Sequence, residues 1–568
     1  MIEGTFTSFD NAAIFYRAWN YKEGQKTMIV LHRGHEHSAR LAEFAQSAPF
    51  ANYNVFSFDF RGHGYTEQEV SPNFMDYVRD LDAFAHYLNQ TYQIHYHDTF
   101  VVANSIAGVI ASAWVHDYAV PIAGMALLAP AFSIKLYVPL AKEMIALGTK
   151  FKPDMIVTSY VKSKVLTHEK DQQVAYDSDP LITKFINGRM LVDLLDAGKR
   201  IVDDAAAITV PTIVFSAGKD YVVKNKWQQR FFHNLSSDLR EFKTLKESFH
   251  GILFEKGREQ VYKDIAKFME KSFAAPKVKI NLKADKFTTD EYYQMLFGLL
   301  PSVELLSYKI QKKLLGVIGP LSEGMRLGLL YGFDSGISLD YVYKNTPQGK
   351  LGFGKIMDKN YLNAIGWAGI RQRKIHLLQQ IDKQIALLQE QGQPIKILDV
   401  AGGTGNYLFD IKAKYPEAEI VVNDFKRSNI EVGEAYIKQH NLSGIRFTNY
   451  DCFDLNTYPL FNFEPNITII SGIFELFDDN DMICNTIKGI SSIATNNSVI
   501  VYTGQPWHPQ LKTIAFVLKS HRDTDWVMRR RSQYELDKLF AYNSVFKQNM
   551  LIDNYGIFTV SVGKIVKS

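Results

Sequence analysis

The chain is poor in cysteine. Only two occur in 568 residues, Cys452 and Cys484, and they form no C-x-x-C pair. That argues against a disulfide framework and a structural zinc site, and it suits a reducing compartment. Long apolar runs are missing too. No stretch of about eighteen consecutive apolar residues occurs, so no segment is expected to span a membrane. The first residues, MIEGTFTSFDNAAIFYRAW, show no charged segment followed by an apolar one, and no signal peptide is expected. Excess charge is scarce: a net charge of +4 over this length marks no nucleic-acid partner. No segment is of low complexity, and no internal repeat is visible. What these absences leave is an ordinary globular composition, 46% hydrophobic and 22% charged. It is long enough for two or three cores and is expected in the cytoplasm.

Strand–helix alternation is what is present. In residues 1–273 the apolar runs TMIVLH, NVFSFDF, TFVVANS, GMALLAP and TIVFSAG are separated by helical patterns such as FMDYVRDLDAFAHYLNQTY. That predicts an α/β domain with a mostly parallel sheet. A helical interval at about 133–207 breaks the rhythm and is read as an inserted cap. Residues 274–290 are polar and Lys-rich, as in a linker. Residues 291–390 form an extension with helical ends and a loop-rich middle. A second α/β series fills 391–568, through IKILDV, EIVVND, IRFTNYD, ITIISG, SVIVYTG and GIFTVSVGKI.

The stretch VVANSIAGVIASAW, residues 101–114, has the shape of a nucleophile elbow: an apolar strand, a serine, then a helix of small residues. Strand and helix backbones nearly touch there, so the positions two before and two after the serine must be small. Ala103 and Ala107 satisfy that rule without the glycines of G-x-S-x-G. Partners follow in the order Ser…Asp…His. Asp220 lies after the strand PTIVFSAG, and His250 lies in the loop of TLKESFHGILFE. His250 would take the proton of Ser105, and Asp220 would orient the ring. Gly34, in LHRGHEHSAR, and Ile106 are the candidate backbone donors of an oxyanion hole. His32, His35 and His37 could instead suggest a metal, but no carboxylate–histidine set completes such a site, and none is expected.

Together HRGHEHSAR, FDFRGHGYTE, ANSIAG, GKDYVV and FHG resemble the monoacylglycerol lipase and lysophospholipase group of α/β-hydrolases. The resemblance implies hydrolysis of an ester, such as a monoacyl lipid, through an acyl-serine. The usual oxyanion loop of that group is H-G-x-G-E-H; here Arg33 replaces one glycine and His35 the other.

In the second half, IKILDVAGGTGNYLFDI is a strand, a glycine turn and a helix. No G-K-[ST] follows, which excludes a Walker loop, and Leu408 takes the third glycine position of a dinucleotide fingerprint. The remaining pattern is an Asp at a strand end, Asp399, then Gly403 and Gly405. Such a turn lets backbone approach an amino-acid moiety and a ribose. Asp424 ends the next strand, where a carboxylate can accept both ribose hydroxyls. Asp451 ends the third, placed to accept from an adenine amino group. This half resembles the class I S-adenosylmethionine-dependent methyltransferases, with S-adenosyl-L-methionine as the implied cofactor and Ala401 where the family has glycine. The whole fusion resembles a bacterial family that pairs this hydrolase with a methyltransferase.

The region YGFDSGISLDYVYKNTPQGKLGFGKIMDKNYLNAIGWAGIRQRK is dense in Gly, Tyr and Asp, as binding loops are. With TGQPWHPQ after the fifth strand, it makes Tyr331, Asp334, Asp340, Tyr341, Arg371, Arg373 and His508 candidates for the methyl-acceptor site. Asp340 or His508 could act as a base. The three arginines of MRRRSQYELDKLF read as a solvated helix start or, alternatively, a phosphate contact. Residues 304–321 are amphipathic and cationic: a packing helix, or a peripheral contact with an anionic membrane, which would be the inner membrane. The combined expectation is a bifunctional enzyme acting on a lipid-related metabolite, with a small-molecule or lipid ester substrate, a methyl acceptor and no nucleic-acid partner. The alternatives are a methyltransferase carrying a non-catalytic hydrolase-fold module, or an inert scaffold.

Overall fold

The computed structural model describes residues 1–67, 72–276 and 282–567. The chain divides into two compact units, Met1–Val278 and Lys279–Ser568.

The first unit is built on an eight-stranded sheet. Its strands are β1 (Ile2–Thr7), β2 (Ala13–Trp19), β3 (Thr27–Leu31), β4 (Asn54–Phe58), β5 (Thr99–Asn104), β6 (Gly124–Leu128), β9 (Thr212–Ala217) and β10 (Arg240–Leu245). The order is β1-β2-β4-β3-β5-β6-β9-β10, antiparallel at the β1, β2 and β4 pairings and parallel beyond. The central strands β3, β4, β5, β6 and β9 are buried throughout, which is why they read as continuous apolar runs. The edge strands β1 and β10, and β2 next to the edge, are missing from the sequence reading. Their mixed polar faces, as in REFKTL, carry a weaker signal.

Between β6 and β9 lies the inserted interval. It contains a short antiparallel pair, β7 (Ile156–Thr158) with β8 (Phe185–Asn187), and three helices. The last of these, Gly188–Asp203, packs against the sheet-covering helices Phe74–Tyr92 and Ile106–Tyr118. Its Arg200 makes two hydrogen bonds, of 2.5 and 2.8 Å, to buried Asp117, while His116 bridges Asp117 and Asp204 at 2.7 and 2.8 Å. That helix therefore belongs to the body of the hydrolase layer rather than to the cap.

The second unit carries a seven-stranded sheet. Its strands are β11 (Lys396–Asp399), β12 (Glu419–Asn423), β13 (Ile445–Thr448), β14 (Ile467–Ile470), β15 (Val499–Gly504), β16 (Val545–Ile552) and β17 (Thr559–Ile565), in the order β13-β12-β11-β14-β15-β17-β16. All pairs are parallel except those of β17, which runs antiparallel to β15 and β16. The order reverses between β11 and β14, and ligands of open α/β sheets bind at that switch point, beyond the strands' carboxyl ends.

Two sequence expectations change. Of the linker 274–290, residues 277–281 lie outside the described residues. Leu282, however, packs on the second core, and a helix begins at Lys286. The expected loop-rich middle of the extension is helical: Glu323–Tyr331, Gly336–Lys344 and Leu351–Leu362. Its glycines serve close packing. A Cβ on Gly324 or Gly328 would collide with the ring of Tyr361 or Phe333, respectively. Gly332, at φ 91°, turns the chain beside the backbone of His521.

Candidate active sites

Ser105 sits between β5 and the helix Ile106–Tyr118 with φ 53° and ψ −114°, a strained backbone for a side-chain-bearing residue. The surroundings hold it there. Its N–H donates to the Leu128 carbonyl at 2.9 Å, and its own carbonyl accepts from Ala131 at 2.9 Å. Ala103 and Ala107 are fully buried, and a Cβ on Gly108 would lie 2.7 Å from Pro130 Cβ. The requirement for small residues is thus met by alanine at two positions and by glycine at a third.

Ser105 Oγ stands 2.8 Å from His250 Nε2, and His250 Nδ1 stands 2.8 Å from Asp220 Oδ2. The other Asp220 oxygen accepts from the Val222 and Val223 N–H groups at 2.7 and 2.9 Å. Burial by itself would raise the Asp220 carboxyl. The imidazole of His250 and the two amides outweigh burial and hold it below its ordinary value. Ile106 opens its helix, so its N–H has no intrahelical partner. Gly34 lies against it: a Cβ there would be 3.2 Å from Ile106 Cδ1. Both line, with Ser105 and His250, a mostly apolar cavity of about 730 Å³ reaching into the inserted interval past Leu136, Val138 and Ile145.

The departures in the loop are accommodated rather than idle. Arg33 is buried, donates to Glu36 at 2.7 Å and lies over the ring of Phe254. His35 holds φ 72°, the conformation glycine would adopt at no cost. The three loop histidines do not converge. His32 accepts at Nε2 from Phe60 N–H at 3.1 Å and therefore donates from Nδ1 to the Arg33 carbonyl at 2.8 Å. His35 meets Thr183 at 3.3 Å, and His37 meets Asp179 at 2.9 Å.

In the second unit, Asp399, Asp424 and Asp451 stand at or just beyond the ends of β11, β12 and β13. Burial, with added repulsion from all three carboxylates, raises the Cys452 thiol to about 12. Asp399 is fully buried and accepts from Tyr407 and from Ala401 N–H. Burial pushes it up to about 7. Asp424 accepts from Gly403 N–H at 3.0 Å, tying the glycine turn to the second strand. Gly403 and Gly405 hold φ 58° and 75°, and a Cβ on Gly402 would lie 2.6 Å from Val422. These residues fit S-adenosyl-L-methionine. They offer a bare-backbone turn, acceptors for hydroxyl and amino groups, and a buried carboxyl that a cation would ionise.

A second cavity, of about 230 Å³, lies beyond β14 and β15. Asp334, Arg373 and His508 line it; Tyr331, Asp340, Tyr341 and Arg371 do not. Tyr341 is turned inward to Asp358, and Arg371 donates to the Leu362 carbonyl at 2.8 Å. Both oxygens of Asp340 accept from Asn406 at 2.9 Å, next to the glycine turn. Tyr331 is exposed at a helix end. His508 is not placed to be a base. Burial pushes it down to about 3, and its Nδ1 accepts the Gln510 N–H at 3.1 Å, so in the neutral ring Nε2 carries the proton. The sequence reading missed Glu475, Gln505, Trp367 and Trp526, which also line the cavity. An acid shortly after the fourth strand, in SGIFEL, was the available signal for Glu475. Arg373 faces Glu475 at 3.7 Å and lies over the ring of Phe558.

The three consecutive arginines are buried, contrary to either sequence reading. Arg529 donates to Glu535 at 2.7 Å, Arg530 to Glu291 at 2.5 Å and the Pro506 carbonyl at 2.7 Å, and Arg531 to the Phe474 carbonyl at 2.7 Å. They tie the extension and the sheet's loops together.

Residues 265–565 match the family described as "Putative methyltransferase". The chain belongs to that family. Residues 22–257 match the family described as "Serine aminopeptidase, S33". The uncharacterized protein YnbC of Escherichia coli is 38% identical over 99% of this chain and 98% of its own. Phospholipase YtpA of Bacillus subtilis is 23% identical over 44% of this chain and 98% of its own. The human monoglyceride lipase is 26% identical over 42% and 80%. The architecture of this methyltransferase family member is therefore a fusion, with a lipase-like hydrolase domain preceding the methyltransferase domain.

Proposed function

We propose that the chain is a bifunctional enzyme, a serine ester hydrolase joined to an S-adenosylmethionine-dependent methyltransferase, acting on a lipid-related metabolite. The hydrogen-bonded series Ser105–His250–Asp220 carries the first half. Ser105 Oγ attacks the ester carbonyl carbon while His250 Nε2 takes its proton. The Gly34 and Ile106 N–H groups hold the resulting oxyanion. His250 then protonates the leaving alcohol, and water, deprotonated by His250, releases the acid from the acyl-serine. The volume and apolar lining of the 730 Å³ cavity favour a single acyl chain. The relatives named above, a phospholipase and a monoglyceride lipase, point the same way.

In the second half, Asp424 would hold the ribose hydroxyls, Asp451 the adenine amino group and Asp399 the cationic end of the cofactor, with Ala401, Gly403 and Gly405 forming the turn beneath it. When bound, S-adenosyl-L-methionine supplies an electrophilic methyl group. The chain contributes proximity and orientation. The guanidinium of Arg373 and the Nε2–H of His508 would hold an acceptor oxygen in the smaller cavity. The Glu475 carboxylate would take a proton if the acceptor must lose one.

The departure of the oxyanion loop, with His35 at φ 72°, favours a second reading in which the hydrolase fold is a binding module only. A fluorophosphonate probe separates the two. Labelling of the wild type and not of Ser105→Ala supports catalysis; equal labelling of both, or none of either, removes it. Calorimetry with S-adenosyl-L-methionine is expected to show one site per chain, weakened by Asp424→Ala. A flat titration of the wild type ends the methyltransferase assignment.

A further inference from the structure

The helix Ser302–Ile318 has no buried residue. Its rotation is nonetheless determined. Tyr308 stacks on Phe516 with ring centres 5.4 Å apart, Glu304 receives Lys512 at 3.0 Å, and Leu315 packs on the core of the extension. Those three side chains share one face. The opposite face carries Val303, Leu306, Ile310, Leu314 and Val317, which are between 53% and 82% exposed. At about 100° per residue these five fall within roughly 80° of the circumference, an unbroken apolar stripe about 20 Å long. The segment just before the helix adds exposed Leu296, Phe297 and Leu299. An unbroken stripe of five apolar side chains on one helix differs in kind from scattered exposed leucines.

Charge says what covers it. Lys309 and Lys313 run along one flank of the stripe, with exposed uncharged Ser307 and Gln311 on the other. Glu304, the only acid of the helix, is turned inward to Lys512. Lys312 is held by Asp525 at 2.6 Å. A second copy of the stripe would bring uncompensated lysines together, whereas phosphate headgroups would answer them. The helix is also neither long nor apolar enough to cross a bilayer. An apolar stripe with cationic flanks is the geometry of a helix lying in a membrane interface.

We propose that the helix Ser302–Ile318 docks the protein on an anionic phospholipid bilayer, with the apolar stripe sunk among the acyl chains and Lys309 and Lys313 at the phosphates. The helix packs on Leu511–Val517, whose Thr513 and Ile514 line the smaller cavity. Docking would therefore hold that cavity one helix away from lipid. The inference goes beyond the proposed reactions and does not depend on either.

Its test is local to the stripe and needs no turnover. Both native cysteines are buried, so Ile310→Cys in the full chain can carry a polarity-sensitive fluorophore, with Gln391→Cys as the control site. Vesicles containing phosphatidylglycerol are expected to shift the emission at 310 to the blue and to leave 391 unchanged. Pure phosphatidylcholine vesicles should do far less, and high salt should reverse the effect. The pair Lys309→Glu and Lys313→Glu should weaken the response at least about tenfold. Three results would overturn the proposal: no shift at 310 with anionic vesicles, an equal shift with neutral ones, or a shift already present without lipid. The last means that protein covers the stripe, and dependence on protein concentration would identify a second copy.

Discussion

The two units solve the problem of a reactive centre in opposite ways. In the first, as proposed, the chain would provide the reacting group itself. Ser105, His250 and Asp220 are hydrogen-bonded to one another, and each charge has its partner. In the second, the chain supplies a setting. Three carboxylates stand at or just beyond strand ends beside a bare turn, and the most buried, Asp399, is pushed up to about 7 by its burial. A nucleophilic site can be satisfied before substrate arrives. In the proposed cofactor site, the buried Asp399 carboxyl would ionise fully only when a cation enters beside it.

That contrast can be broken by experiment, beginning with the largest effect. Asp220→Asn should lower ester hydrolysis by roughly 10⁴-fold, because the imidazole loses its orienting acceptor. Cofactor binding should be unchanged; a parallel loss in calorimetry would mean that the two sites are not independent. Arg529→Met leaves the buried Glu535 carboxylate without its closest cation and should cost the second unit about 3–5 kcal/mol. A thermal scan should show that loss while esterase activity at room temperature persists.

Acidity sharpens the comparison further. Asp399 is raised in the folded chain, so it is protonated and neutral below about pH 7. Its contribution to folding is full below its unfolded value, near 4, and is lost as pH rises through 7. A cationic ligand prefers the ionised form. Cofactor affinity should therefore rise about tenfold between roughly pH 6 and pH 8, and Asp399→Asn should flatten the profile. His35 behaves oppositely. Burial pushes it down to about 4, so its contribution is present above about pH 6.5 and is lost on acidification. The smallest effect belongs to the same residue. His35→Gly removes a left-handed backbone strain, and denaturant titration should show a gain of about 1 kcal/mol in the first unit.

Much is legible in the amino-acid sequence. The central strands announced themselves because both faces are buried. The elbow did so because close backbone approach admits only small side chains at Ala103 and Ala107. The acids 399, 424 and 451 were legible because they share one structural position, the end of a parallel strand. The methyl-acceptor candidates were less legible. Tyr341 and Arg371 sit in the same Gly- and Tyr-rich stretch as Asp334 and Arg373, yet only the latter two reach the cavity. Which way each points depends on helix rotation within the extension, set by partners such as Asp358 and the Leu362 carbonyl.

The arginine run shows the same limit. Three adjacent cations look solvated until Glu535, Glu291 and the carbonyls of Phe474 and Pro506 are seen to close around them from four separate segments. The amino-acid order alone determined the two α/β series, the candidate nucleophile with its partners and the acids of the cofactor turn, because periodicity and steric limits act over a few residues. Tertiary structure alone decided which polar side chains meet, that His508 is buried, and that one helix leaves its apolar stripe outward, because those outcomes depend on neighbours far away in the chain.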